Sequence, residues 1–165
     1  MTAEQETHQL TMTRPREREL RFERVFEFSR EQVWKAYTDP ALLSQWYGGG
    51  TRVETMDLRA GGRWKFVADR PDGDNTYPFV FEGEYLEVDP PRRLVQTMHN
   101  GWNGVTTTET IELEALSENQ TRLTQTSTFA TTEERDGQVA NGAEVGAKYQ
   151  FGQLNQILIK TAGGK

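Results

Sequence analysis

The chain has 165 residues, a length that suits one domain with its own core. It has 19 Lys and Arg against 25 Asp and Glu, a formal net charge of −6, and so lacks the basic surface that sequence-independent nucleic-acid binding needs. Cysteine is absent, which excludes disulfides, thiolate metal sites and a cysteine nucleophile. His8 and His99 are the two histidines, and we expect neither a metal site nor a cofactor.

The ends of the chain are polar. Residues 1–19 show no hydrophobic period and are predicted to form a mostly disordered lead-in. Residues 20–161 are predicted to form a single domain, followed by a flexible tail over 162–165. No apolar run approaches the roughly 20 residues of a membrane-spanning helix, and the first ten residues do not resemble a secretory signal. We therefore expect no membrane span and a cytoplasmic location.

A strand and two short helices are predicted first. Between residues 20 and 28, Phe22, Phe26 and Phe28 share one parity with Arg24 as the sole polar break, which is typical of a strand with one aromatic face. Ser29 and Gln32 have capping-box spacing, so a short helix should start there. Asp39 and Pro40 suit the N-cap and first position of a second helix, which the glycines of 48–50 should end.

A run of strands and one long helix follow. Alternating residues separated by turn residues predict extended segments at 51–59, 63–69, 77–88, 93–100, 105–116 and 122–129. Thr131 and Glu134 then have capping-box spacing, and apolar residues recur at steps of three and four as far as Leu158. The predicted class is α+β: a curved antiparallel sheet of about six to seven strands, two short helices and one long C-terminal helix that covers the sheet.

Several short motifs, in a definite order, resemble a known family. They are RVFE at 24–27, VWKAYTDP at 33–40, QWYG at 45–48, DLRAGGRW at 57–64, GEYLEVDPP at 83–91 and TRLT at 121–124. In order and spacing they resemble the domain family named after the activator of the ninety-kilodalton heat-shock protein ATPase. That family belongs to the START-like, or SRPBCC, superfamily, which includes the birch-pollen allergen fold. The resemblance covers roughly residues 20–160.

The resemblance implies a helix-grip fold with a cavity between the sheet and the C-terminal helix. The superfamily includes lipid carriers, hormone receptors and polyketide cyclases, and some eukaryotic family members are co-chaperones that carry an additional N-terminal domain. The chain departs from the family pattern at Tyr47, where a second tryptophan is common, and at Gln125, where an aliphatic residue is usual. Both departures imply a more polar pocket.

Strand parity selects the side chains that should face this cavity. The apolar candidates are aromatic or aliphatic, and the polar candidates could orient a ligand through hydrogen bonds. For residues 93–100 either parity is open, and we favour Gln96 and Met98 inward over His99. The predicted cavity residues are Trp46, Tyr47, Trp64, Phe66, Phe79, Phe81, Tyr85, Gln96, Met98, Glu109, Ile111, Gln125, Ser127, Phe151 and Leu154.

These residues favour binding over catalysis. The leading hypothesis is a non-catalytic binder of a small, largely apolar ligand, aromatic or lipid-like, with no catalytic residue assigned. A cyclase- or hydrolase-type enzyme that uses Glu109 or His99 is one alternative. A protein-interaction module that uses Trp102 or the sheet exterior is another. Strand edges could also pair between copies, which leaves a homodimer open.

Overall fold

One open antiparallel sheet of eight strands organises the chain. A computed structural model describes residues 9–163, apart from the side chain of Asp72. The strands are β1 (Thr11–Thr13), β2 (Glu19–Phe26), β3 (Arg52–Met56), β4 (Arg63–Asp72), β5 (Asn75–Asp89), β6 (Arg93–Asn100), β7 (Thr106–Ser117) and β8 (Gln120–Thr128). Their order across the sheet is β1-β2-β8-β7-β6-β5-β4-β3. The α+β class is confirmed, with one strand more than expected.

Helices lie at two places in the chain. Helix α1 (Arg30–Thr38) and the single turn α2 (Pro40–Leu43) follow β2, and a 3-10 turn (Tyr47–Gly49) leads into β3. Helices α3 (Thr132–Ala140) and α4 (Ala143–Gly163) follow β8. Helix α4 contacts both α1 and the 3-10 turn. Within residues 9–163, no helix is both long enough and apolar enough to cross a membrane.

Side-chain caps fix where the helices begin. The Ser29 hydroxyl accepts from the Gln32 amide at 3.2 Å, and the Gln32 side chain accepts from the Ser29 amide at 2.9 Å, which confirms the predicted capping box. Asp39 accepts from the Ala41 amide at 3.0 Å with Pro40 in the first helical position, as predicted.

The predicted long C-terminal helix is present as α4, but it begins at Ala143 and not near Thr131, where the capping-box spacing predicts its start. Thr131 caps α3 by accepting from the Glu134 amide at 3.1 Å, but the helix ends at Asn141 and Gly142. Gly142 has φ 93°, a left-handed conformation that residues with a Cβ avoid. The chain then starts again as α4. An Asn-Gly pair is a typical helix end, and the small-residue stripe that continues beyond it concealed the break.

Other predicted boundaries also moved. Strand β1 lies inside the expected disordered lead-in, where Thr11–Thr13 pairs with 21–23 of β2, and residues 1–8 of that lead-in lie outside the described residues. The predicted loop at 70–75 is a tight hairpin instead, because β4 and β5 stay paired as far as Asp72 and Asn75. Helix α4 continues to Gly163, into the predicted flexible tail, whose last two residues are likewise outside the described part.

The core lies between one face of the sheet and helices α1 and α4. Its fully buried side chains include Phe26, Trp46, Trp64, Leu123 and Leu154. The Trp64 indole lies beside Gly83, its cross-strand neighbour, and donates to the Thr97 carbonyl on the next strand at 3.2 Å. This tight layer ends beneath the start of α4, where small residues replace large ones on the helix face.

Candidate functional site

A cavity of about 310 Å³ lies between the sheet and the α3–α4 junction. Its inner wall is apolar, formed by Leu20, Phe22, Phe129 and Phe151. The helix side is lined by Ala143, Gly146 and Ala147, whose small side chains leave room above the sheet. A volume of this size is at the lower end of ordinary small-molecule sites.

Register places Glu109 in the middle of a row of paired residues that crosses the sheet at the cavity. Glu109 of β7 pairs with Gln96 of β6 on one side and with Ser127 of β8 on the other. The row continues outward to Tyr85 of β5 and Leu20 of β2. Directly paired residues on one face of a sheet have neighbouring side chains, so three polar groups meet at the centre of a row that ends in larger, apolar residues.

The Glu109 carboxylate accepts three hydrogen bonds. Gln125 Nε2 and Ser127 Oγ each donate to Oε1 at 2.8 Å, and the Thr107 hydroxyl donates to Oε2. Gln125 is oriented in turn by the Tyr37 hydroxyl, which donates to its Oε1 at 3.4 Å. Because Gln125 Oε1 receives that bond, its amide nitrogen is directed to Glu109.

Burial dominates the electrostatics of this group. Glu109 is 4% exposed, and its burial raises the pKa of the carboxyl, while the bonds from Thr107, Gln125 and Ser127 act in the opposite direction. Within residues 9–163 no Lys, Arg or His forms an ion pair with it. Burial also raises the pKa of Tyr47, and the Glu109 charge adds to that shift. The same part of the chain holds no cluster of three carboxylate or histidine side chains that could bind a metal.

The mouth of the cavity lies between the β6–β7 turn and the α3–α4 junction. Asn103 on the turn, and Asn141, Gly142 and Gly146 on the helix side, line the cavity and are exposed. Asn103 Nδ2 donates across the mouth to Gln138 Oε1 at 3.5 Å. On the opposite side, the Gly48 amide donates to Gln150 Oε1 at 3.0 Å, which joins the 3-10 turn to α4. The Arg70 guanidinium holds the same turn by donating to the Gly48 carbonyl.

Seven predicted cavity residues lie together around this space. They are Tyr47, Phe81, Met98, Glu109, Gln125, Ser127 and Phe151. A second void, of about 10 Å³, is too small for an organic ligand; it borders Tyr47, Glu109 and Gln125 and is also lined by four further predicted residues, Phe66, Tyr85, Gln96 and Ile111. His99 is exposed, and its ring nitrogen bonds to the Thr106 hydroxyl at 2.8 Å.

Four predicted cavity residues line neither space. Trp46 is fully buried, and its indole donates to the Ala36 carbonyl at 2.9 Å, so it anchors the helix end instead of covering the cavity. Trp64 and Leu154 are buried in the hydrophobic core. Phe79 lies beyond the part of the sheet that the helices cover, where its ring stacks on Trp102 at a centroid distance of 5.8 Å. Parity assigns a face of the sheet but not the depth along it.

Sequence reasoning missed the amide-rich rim of the cavity. Asn100, Asn103, Gln138, Asn141 and Gln150 all line it. The three on the helices were hidden by the expectation of one continuous helix, although Asn141-Gly142 is itself a signal for a break. Thr107 could have been found, since it has the same parity as Glu109 two residues later.

Solved structures share this fold. A crystal structure of a protein from Rhodobacter sphaeroides has a TM-score of 0.81 at 24% identity, over 92% of this chain and 99% of that one. A solution NMR structure from Arthrobacter aurescens has 0.80 at 23% identity, over 91% of each chain. A crystal structure from Mycobacterium smegmatis has 0.77 at 22% identity, over 93% of this chain and 99% of that one. At these identities the likeness shows the fold alone.

A family comparison covers most of the chain. A search of curated proteins gave no match. The model of the family described as "Activator of Hsp90 ATPase homolog 1-like protein" matches residues 27–159. This span runs from the end of β2 to within four residues of the end of α4, and it contains every wall of the cavity except the β2 residues. The predicted helix-grip fold is confirmed, and the chain belongs to the Activator of Hsp90 ATPase homolog 1-like family.

Proposed function

We propose that the protein binds a small, largely apolar molecule in the cavity between the sheet and α4, without transforming it. The observation that carries this proposal is the cavity itself, about 310 Å³ in volume, in an otherwise filled core. Its inner wall of Leu20, Phe22, Phe129 and Phe151 would take up the apolar body of a ligand through burial of apolar surface. The central polar group would fix the ligand's orientation, as in most small-molecule sites.

Catalysis finds less support in the geometry. Of the residues considered for an enzyme, Glu109 lines the cavity, but His99 is exposed on the far side of β6 and does not reach it. The carboxylate is held by three hydrogen-bond donors, and within residues 9–163 no second acid or base lines the same space apart from the Tyr47 phenol. General acid–base chemistry needs a partner within hydrogen-bond reach of the reacting group.

A ligand screen tests the proposal. Native mass spectrometry of protein purified from its own host would detect a retained molecule, and a thermal-shift screen of apolar metabolites would detect a rebound one. A ligand in hundredfold excess over its Kd should stabilise the fold by about 2.7 kcal/mol. No retained mass and no shift across a broad library would contradict the proposal.

A matched pair of variants locates the binding. Ala147 lines the cavity, so Ala147→Phe should fill the space and abolish the ligand-induced shift. Val145 lies on the same helix but is 74% exposed and does not line the cavity. Val145→Phe adds a similar ring to the outside and should keep the shift. Equal shifts in both variants would place the ligand elsewhere.

A further inference from the structure

The described side chains that line the cavity include a group of negative charge and none of positive charge. Among the described residues that line it, Glu109 is the only Asp, Glu, Lys, Arg or His. A ligand in this space would therefore meet one carboxylate and no basic side chain. A buried carboxylate is costly unless it is paired with an opposite charge or protonated.

The surroundings of Glu109 orient the carboxylate without cancelling its charge. Thr107, Gln125 and Ser127 direct their donors at its two oxygens, and all three donors are neutral. Tyr37 supports this arrangement from behind, since its hydroxyl bond to Gln125 fixes which end of that amide meets the carboxylate. Hydrogen bonds of this kind favour the charged form of a carboxylate. Two oxygens with defined donors also leave defined directions for a further donor from the cavity side.

An aromatic ring lies close to Glu109, because Tyr47 lines both the cavity and the small second void together with that residue. Phe81 also lines the cavity, and its ring centroid is 5.9 Å from that of Tyr47. Aromatic rings attract cations through their electron-rich faces, and they do so more strongly when water is excluded. Within residues 9–163, the cavity lining therefore offers a carboxylate beside the Tyr47 ring and no Lys, Arg or His that would compete for it. This is the chemistry that recognises an organic ammonium group.

We propose that the ligand carries a cationic nitrogen, an ammonium or amidinium group, which pairs with Glu109 while its apolar body lies against Leu20, Phe22 and Phe151. This inference rests on the proposed function. It makes Glu109 the residue that determines specificity and Tyr37 a positioning residue. It also disfavours fatty acids and other carboxylates as ligands, because their charge would face that of Glu109.

Three probes with one skeleton test the inference. We would measure binding of naphthylmethylammonium, naphthylmethanol and naphthoate by titration calorimetry near neutral pH. The ammonium probe should bind about tenfold more tightly than the alcohol, as expected for a hydrogen bond to a charged group, and the naphthoate should bind most weakly. A preference for the alcohol over the ammonium would mean that Glu109 is protonated and donates to a neutral ligand, and would overturn the inference.

Substitutions at two glutamates test whether Glu109 is the cause of the preference for the ammonium probe. Glu109→Gln keeps the size of the side chain and should weaken ammonium binding about tenfold while changing alcohol binding by less than about threefold. Glu112→Gln, on the outward face of the same strand, should change neither. An ammonium affinity that survives Glu109→Gln would overturn the inference and leave the proposed function standing. If Glu109→Gln does not fold, the wild-type ratio of the two affinities decides alone. Absence of binding by all three probes would count against both proposals.

Discussion

Glu109 couples the polar centre of the cavity to the stability of the whole fold. Burial raises the pKa of its carboxyl. Below the ordinary pKa of Glu, about 4.3, the group is protonated in both folded and unfolded chains. As the pH rises, the unfolded chain releases its proton first, so the free energy of unfolding falls until the folded-state pKa is passed. Tyr37 and Tyr47 face the same site, and burial raises the pKa of both, so neither ionises in this window.

Glu109→Gln should therefore gain stability relative to the wild type as the pH rises. Urea unfolding of both proteins from about pH 4 to 8 measures the difference. The remaining carboxylates are common to both chains and cancel in that difference. Glu112→Gln removes an outward-facing glutamate of the same strand and serves as the control for the loss of one carboxylate. A difference that stays constant, or that falls with rising pH, would contradict the assignment of a raised pKa.

Trp46 and Phe81 should separate stability from binding. Trp46 lines neither the cavity nor the second void, and its indole donates to the Ala36 carbonyl in the core. Trp46→Phe should therefore lower the free energy of unfolding by about 1–3 kcal/mol and leave ligand affinity unchanged. Phe81 lines the cavity and is only half-buried, so Phe81→Leu should cost about 1 kcal/mol of ligand binding with a smaller effect on unfolding. If calorimetry showed weaker binding for Trp46→Phe, and denaturation showed the larger loss of stability for Phe81→Leu, the assignment of Trp46 to the core and of Phe81 to the cavity would be wrong.

At the scale of elements, local signals were sufficient where the chemistry is local. Ser29 and Asp39 mark helix starts through hydrogen bonds to residues two or three positions away, and β6 has the predicted bounds, residues 93–100. Phe79 and Trp64 have the right parity for the cavity but lie elsewhere, because their depth depends on how far the helices cover the sheet. That coverage is set by long-range packing, which alternation along a strand does not record.

The break between α3 and α4 predicts opposite effects on stability for alanine substitutions at two glycines. Gly142 has φ 93°, so Gly142→Ala should destabilise the fold by about 1–2 kcal/mol. Gly152 lies inside α4 with no positive φ, and a Cβ added there would meet nothing within 4 Å. Gly152→Ala should therefore stabilise by about 0.5–1 kcal/mol. Thermal unfolding measures both, and stabilisation by Gly142→Ala would mean that α3 and α4 form one helix.

At the scale of the molecule, the order of the predicted elements along the chain was enough to predict the α+β class and which helical region covers the sheet. An antiparallel sheet with one apolar face needs a cover, and only the C-terminal helical region is long enough to supply it. The number of strands, and the amides at the cavity rim, did not follow. A three-residue strand such as β1 carries too little periodicity to detect, and rim residues such as Asn103 and Gln138 meet across 35 positions of sequence.

The position of the cavity mouth affects how fast a ligand would enter and leave. Its two sides are a strand turn and a helix junction, fastened to each other by the Asn103–Gln138 amide contact at 3.5 Å. Parting them breaks neither the pairing of the sheet nor the packing of α4 on α1. Under the proposed function, the residence time of a ligand should thus depend on a small local fluctuation instead of global unfolding, so that a bound molecule would exchange while the rest of the fold stays rigid.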